Sequence, residues 1–90
     1  MATQIMTLER RELYAFCEAL PEPIIARPVV LASRGRGMAL ALDCDGLSVT
    51  LTDNGQACNY STIDAILFEL DGAPNVDTSR LEVDLSTYWH

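Results

Sequence analysis

No lysine occurs in this chain: all six basic residues are arginine, and the single histidine is the terminal His90. Without lysine there is no Gly-x-x-x-x-Gly-Lys phosphate loop. Gly35-Arg36-Gly37 lacks both the third glycine and the strand-to-helix context of a dinucleotide site. A histidine at the chain end is hard to position, so no Ser-His-Asp or Cys-His arrangement can be assembled around it. Long apolar runs are missing too, and nothing approaches the roughly 18 residues of a membrane span. The stretch Met1–Arg10 has neither the basic nor the apolar region of a secretory signal. A cytosolic location is expected, in a cell or in an infected host.

Cysteine is sparse. Cys17, Cys44 and Cys58 are odd in number, widely spaced and set in apolar surroundings. A disulfide framework or zinc site would call for even numbers or C-x-x-C pairs, so these read as buried reduced thiols. Asp43-Cys44-Asp45-Gly46 resembles the start of a calcium loop, but its glycine comes too early and no glutamate follows at the required distance. Glu82 and Asp84 point to the same side of one strand, a pairing that a charged solvent face explains. With no site recipe complete, neither catalysis nor a metal or cofactor is expected.

What the chain does have is concentrated between Gly37 and Ser61. Two alternating apolar runs are joined by Asp45-Gly46, and Asn54-Gly55 joins the second run to a third. Both dipeptides suit two-residue type I′ turns, because Asp, Asn and Gly tolerate positive φ. The resulting register opposes Cys44 to Leu47, Leu42 to Val49, Leu40 to Leu51 and Met38 to Asp53. The second turn opposes Asp53 to Gln56, Leu51 to Cys58 and Val49 to Tyr60. One face then collects Met38, Leu40, Leu42, Cys44, Leu47, Val49, Leu51, Cys58 and Tyr60. The other collects Ala39, Ala41, Asp43, Ser48, Thr50, Thr52, Ala57, Asn59 and Ser61. Turn chemistry and side-chain alternation agree on a three-stranded antiparallel meander.

The flanks supply the rest. Residues 1–6 read as a loose start, and Thr7 as the N-cap of a helix through Leu20 with Leu13, Phe16, Cys17 and Leu20 on its apolar stripe. Pro21 and Pro23 end it. Ile24 to Ala32 is β-branched but carries Pro28, which predicts an edge or interrupted strand. Ser33-Arg34-Gly35-Arg36-Gly37 reads as a flexible turn into the meander; the alternatives are a small arginine-glycine contact for phosphate or a nucleic-acid backbone, which the net charge disfavours, and pairing of these arginines with acids of the chain or of a partner. Ser61-Thr62-Ile63-Asp64 reads as a cap opening a second helix, with Ile63, Ile66, Leu67 and Leu70 facing inward and Asp71-Gly72 ending it. Arg80 to Ser86 alternates as a final strand. The expectation is one α+β domain over residues 1–90, an antiparallel β-meander of three to five strands with an N-terminal helix and a second short helix packed on one face, in the order α-β-β-β-β-α-β.

Charge bears most on function. The net charge is −7 and unevenly placed: residues 1–36 hold five arginines and four acids, a net of +1, whereas residues 37–90 carry −8. Such acidity repels nucleic acid and anionic membranes and attracts a basic protein surface. Small size, no catalytic set and one-sided acidity are similar to anti-CRISPR and toxin-immunity proteins, a likeness of class carried by no shared motif. It implies a phage or mobile-element inhibitor that blocks a basic, nucleic-acid-binding surface of a larger effector. The candidate contacts are Asp43, Asp45, Asp53, Asp64, Glu69, Asp71, Asp77, Glu82 and Asp84, with Tyr88 and Trp89 as aromatic anchors. The alternative is an assembly subunit or chaperone-like adaptor acting as a homodimer. In outline it looks like the type III secretion chaperones, although this chain is shorter.

Overall fold

A computed structural model describes residues 4–86, 88 and 89. The elements are β1 (Gln4–Glu9), a 3-10 turn (Arg10–Glu12), α1 (Leu13–Glu18), β2 (Arg27–Ser33), β3 (Gly37–Cys44), β4 (Leu47–Asp53), β5 (Gln56–Ala57), α2 (Ile63–Leu70) and β6 (Glu82–Asp84). The strands form a six-stranded sheet in the order β1-β4-β3-β2-β6, with β5 added to β4. The α+β class stands. The sheet is mixed rather than wholly antiparallel, because β1 lies parallel to β4 and β6 parallel to β2.

The meander forms around the turns that the sequence marks. Asp45 and Gly46 have φ of 55° and 94°, and Asn54 and Gly55 have 53° and 82°, the two successive positive values of a type I′ turn. Cys44 opposes Leu47, Leu42 opposes Val49 and Asp53 opposes Gln56, as the register predicts. The expected pairs Leu40–Leu51, Met38–Asp53 and Val49–Tyr60 do not form. Beyond Ala41 the strands β3 and β4 part, and residues 56–60 enter the fork. There the Cys58 amide donates to the Leu51 carbonyl at 3.1 Å, while Met38 and Tyr60 exchange backbone hydrogen bonds of 2.7 and 3.1 Å. Gly37 makes room for this. A Cβ there would stand 2.3 Å from Asn59 Oδ1 and 3.2 Å from the Tyr60 carbonyl, and its φ is 81°.

The N-terminus departs furthest from expectation. Residues 4–9 are a strand rather than a loose start, and Thr7 lies within it rather than capping a helix. Helix α1 begins only at Leu13 and has no side-chain cap. The cause is non-local: β4 has a second edge to satisfy, and Met6 and Leu8 come to lie beside Val49 and Leu51. A whole ladder of strand hydrogen bonds outweighs one cap. The Glu9 carboxylate fastens the end of β1, accepting from the Thr52 hydroxyl at 2.5 Å and from the Asn54 and Gly55 amides at 2.8 and 3.1 Å. Thr52 chiefly, then the Gly55 amide, hold this carboxyl below the usual glutamate range.

Strand β2 is interior, flanked by β3 and β6, and not the edge that Pro28 suggests. Successive amides alternate sides. Ala26 donates outward to the Asn75 carbonyl at 2.8 Å, so the Pro28 nitrogen also faces outward. It falls in the gap between the Ala26–Val76 bridge and the start of β6 opposite Val29, where no donor is needed.

One face of the sheet carries the core. Leu8, Val30, Leu40, Leu42, Cys44, Val49 and Leu51 meet Leu13 and Cys17 of α1, Ile66 and Leu70 of α2, and Cys58 and Tyr60. Both helices thus lie on the face that the alternation predicts to be apolar. The inward stripe of α2 is narrower than predicted: Ile63 and Leu67 remain about two-fifths exposed, because only Ile66 and Leu70 reach the sheet. Burial pushes the three thiols up, Cys17 to about 11 with Cys44 adding to the effect. The other face, with Val29, Leu31, Ala39, Ala41, Ser48 and Thr50, adds nothing to this cluster.

Candidate protein-binding surface

The hairpin β2–β3 decides where several of the acids lie. Its three-residue loop, Arg34 to Arg36, pairs Ser33 with Gly37, and counting outward sets Arg27 opposite Asp43. The Arg27 guanidinium lies 3.6 Å from one Asp43 oxygen, and the other oxygen accepts from the Gly46 amide at 3.2 Å. On the outer side of Ala26, the Asp77 amide donates to the Ala26 carbonyl at 2.9 Å. That bond delivers Asp77 to Arg27. The Ser79 hydroxyl and then the Ser79 amide, both hydrogen-bonded to the Asp77 carboxylate, hold it below the usual aspartate range, and Arg80 and Arg27 add to this.

Two surface hollows result. The first, of about 450 Å³, is lined by Pro23, Ile24, Ile25, Arg27, Asp45 and Asp77. The second, of about 400 Å³, is lined by Arg27, Pro28, Asp77, Arg80, Leu81 and Glu82. They share Arg27 and Asp77. Asp43, Asp45, Asp77 and Glu82, drawn from a strand, a turn, a loop and a last strand, are therefore gathered at one end of the sheet.

The remaining candidates are not gathered there. Asp53 ends β4 and lines a separate hollow with Arg10 and Gln56. Asp64 stands in the first turn of α2, whose N-cap Thr62 accepts from the Ala65 amide at 3.1 Å. Asp71 ends that helix, and its carbonyl accepts from the Tyr14 hydroxyl. Glu69 is occupied internally: it accepts from the Tyr60 hydroxyl at 2.9 Å and pairs with Arg10 at 2.8 Å. Asp84 accepts from the Ser86 amide at 2.8 Å, which lowers its carboxyl below the usual range.

Tyr88 and Trp89 lie toward the opposite end. Their rings meet edge to face at 4.8 Å, and the Arg34 guanidinium lies 5.4 Å from both ring centroids. Arg34, in the turn that the sequence marks, thus meets aromatic rings. Trp89 is 68% exposed, whereas Tyr88 is half-buried.

Sequence reading misses Arg27, Arg80 and the apolar wall of Pro23, Ile24 and Ile25. Arg27 was accessible through the hairpin register; the arrival of Asp77 was not, because it depends on the bridge between Ala26 and Val76. Among the described residues no group of three or more His, Cys, Asp or Glu side chains could hold a metal ion, and no helix is long and apolar enough to cross a membrane. Comparison with known proteins finds no matching family model, no matching curated protein and no matching solved structure.

Proposed function

We propose that this chain is a non-enzymatic protein-binding module that engages a basic surface of a larger partner through the end of the sheet bearing Asp43, Asp45, Asp77 and Glu82. One observation carries the proposal: Asp45 and Asp77 face the same hollow, whose apolar walls are Pro23, Ile24 and Ile25. A lysine or arginine side chain has this dual character, an apolar stem and a cationic head. Arg27 shares the hollow, but Asp43 lies beside it and offsets its charge. In its finer form the proposal is an inhibitor of the phage or mobile-element kind, covering a surface that its target would otherwise offer to nucleic acid. The net charge of −7 favours encounter with such a surface and disfavours direct contact with nucleic acid.

The test is titration calorimetry with a lysine-rich peptide, at low and at high salt, on the wild type and on the double variant Asp45→Asn with Asp77→Asn. Asparagine keeps the positive φ at position 45 and an acceptor for Ser79 at position 77. Binding should weaken about tenfold in the double variant and lose most of its salt dependence, with an unchanged circular dichroism spectrum. Equal affinity for both proteins would remove the hollow from the mechanism.

A further inference from the structure

The sheet has two outer edges, and one of them is unguarded. Along its inner edge β1 pairs with β4 over all six of its residues, Gln4 to Glu9. Among the described residues nothing pairs with its outer edge. Natural sheets protect such edges with proline, lysine, inward charges, bulges or extreme shortness. Gln-Ile-Met-Thr-Leu-Glu contains no proline, lysine or glycine. Its one charge, Glu9, stands at the last residue, where its carboxylate is taken up by Thr52 and the Asn54-Gly55 turn instead of facing an incoming strand. Ile5 is 77% exposed on the open face and Met6 is 38% exposed on the core face.

We propose that the outer edge of β1 pairs with β1 of a second copy of this chain, antiparallel and about a two-fold axis, to make one continuous sheet. The occupant must be an extended strand, since an edge offers backbone donors and acceptors at the strand repeat. A second copy meets that requirement, because its own β1 is an extended strand, uncharged until its last residue, with an open edge. Each chain carries −7, yet residues 4–8 carry no ionisable side chain, so two chains can meet here without opposing carboxylates. Paired residues in a continuous sheet share a face. Ile5 and Thr7 can then oppose one another across the axis while Met6 meets its own copy, and no like charges come into register. Because β1 and β6 lie at opposite sides of the sheet, this pairing uses none of the residues that line the acidic hollows.

Sedimentation equilibrium on the isolated chain tests the pairing without any partner. Wild type should have twice its 9.9 kDa monomer mass at micromolar concentration, and added salt should preserve or strengthen the association by screening the net charge. The double variant Ile5→Lys with Met6→Lys should be monomeric, its association weakened about tenfold or more, with the spectrum of a folded protein. Val83→Lys, on the other edge, should remain dimeric. Should the double variant fail to fold, wild-type amide exchange decides: protection confined to residues 4–9 must rise with protein concentration. A monomeric wild type, concentration-independent exchange, or a dimer lost with Val83→Lys and kept in the double variant would each overturn the proposal.

Discussion

The two borders of the sheet are built on opposite principles. Strand β6 is three residues long, carries Glu82 and Asp84 on the open face, and is halted where Asp84 accepts from the Ser86 amide. Strand β1 is twice as long, uncharged until its last residue, and leaves Ile5 and Met6 exposed. Both lie parallel to their neighbours, so the difference is not one of direction. It is one of guarding. Short length and charge keep an edge solitary, whereas a long neutral edge invites a partner. The chain thus sets Glu82 and Asp84 on its short border, beside the hollows, and a longer uncharged run of backbone on the other.

That contrast can be broken most forcibly through stability. Leu8 anchors β1 in the core, so Leu8→Ala should cost about 2–3 kcal/mol in urea denaturation. Val83 is half exposed, and Val83→Ala should cost less than about 1 kcal/mol. Equal small losses would mean that β1 is an appendage rather than part of the core sheet.

A second test concerns the fastening of β1. The Glu9 carboxyl titrates below its unfolded-state value, so its contribution is present above the ordinary glutamate range and is lost as pH falls through the lower folded-state value. Glu9→Gln should lower the thermal midpoint at neutral pH, because an amide presents one acceptor oxygen to three donors. The two melting profiles should converge as pH falls below that range. Parallel profiles at all pH values would show that the clasp does not hold β1.

The gentlest perturbation removes the guard from β6. Glu82→Thr with Asp84→Thr should leave the urea midpoint almost unmoved while converting β6 into a second associating edge. Sedimentation velocity should then detect species beyond the dimer. A variant that behaves as the wild type would show that brevity alone closes that border.

Much of the fold was legible from local chemistry. Asp45-Gly46 and Asn54-Gly55 set the hairpin register through backbone preference alone, and Thr62 announces α2 in the same way. The alternation from Met38 to Leu51 names the core face because strand side chains change sides at every residue. Periodicity says less about how far a face is covered, hence the half-open Ile63 and Leu67. The site was less legible still. Asp45 and Asp77 look alike in the sequence to Asp53 and Asp64, and only the bridge at Ala26 brings the first two to one hollow.

The sequence by itself determined the elements whose cause lies within a few residues: both type I′ turns, the apolar face of the meander, the α2 cap and the acidic balance of residues 37–90. Tertiary structure alone decided that residues 4–9 become a strand, that the sheet is mixed, and that residues 56–60 enter the fork between β3 and β4. It also decided which carboxylates are already occupied within the protein, as Glu69 is by Tyr60 and Arg10. The physical reason is the same in each case. A turn or a cap is settled by φ preferences and hydrogen bonds between near neighbours, whereas an unsatisfied strand edge is settled by whichever distant segment can supply the matching ladder.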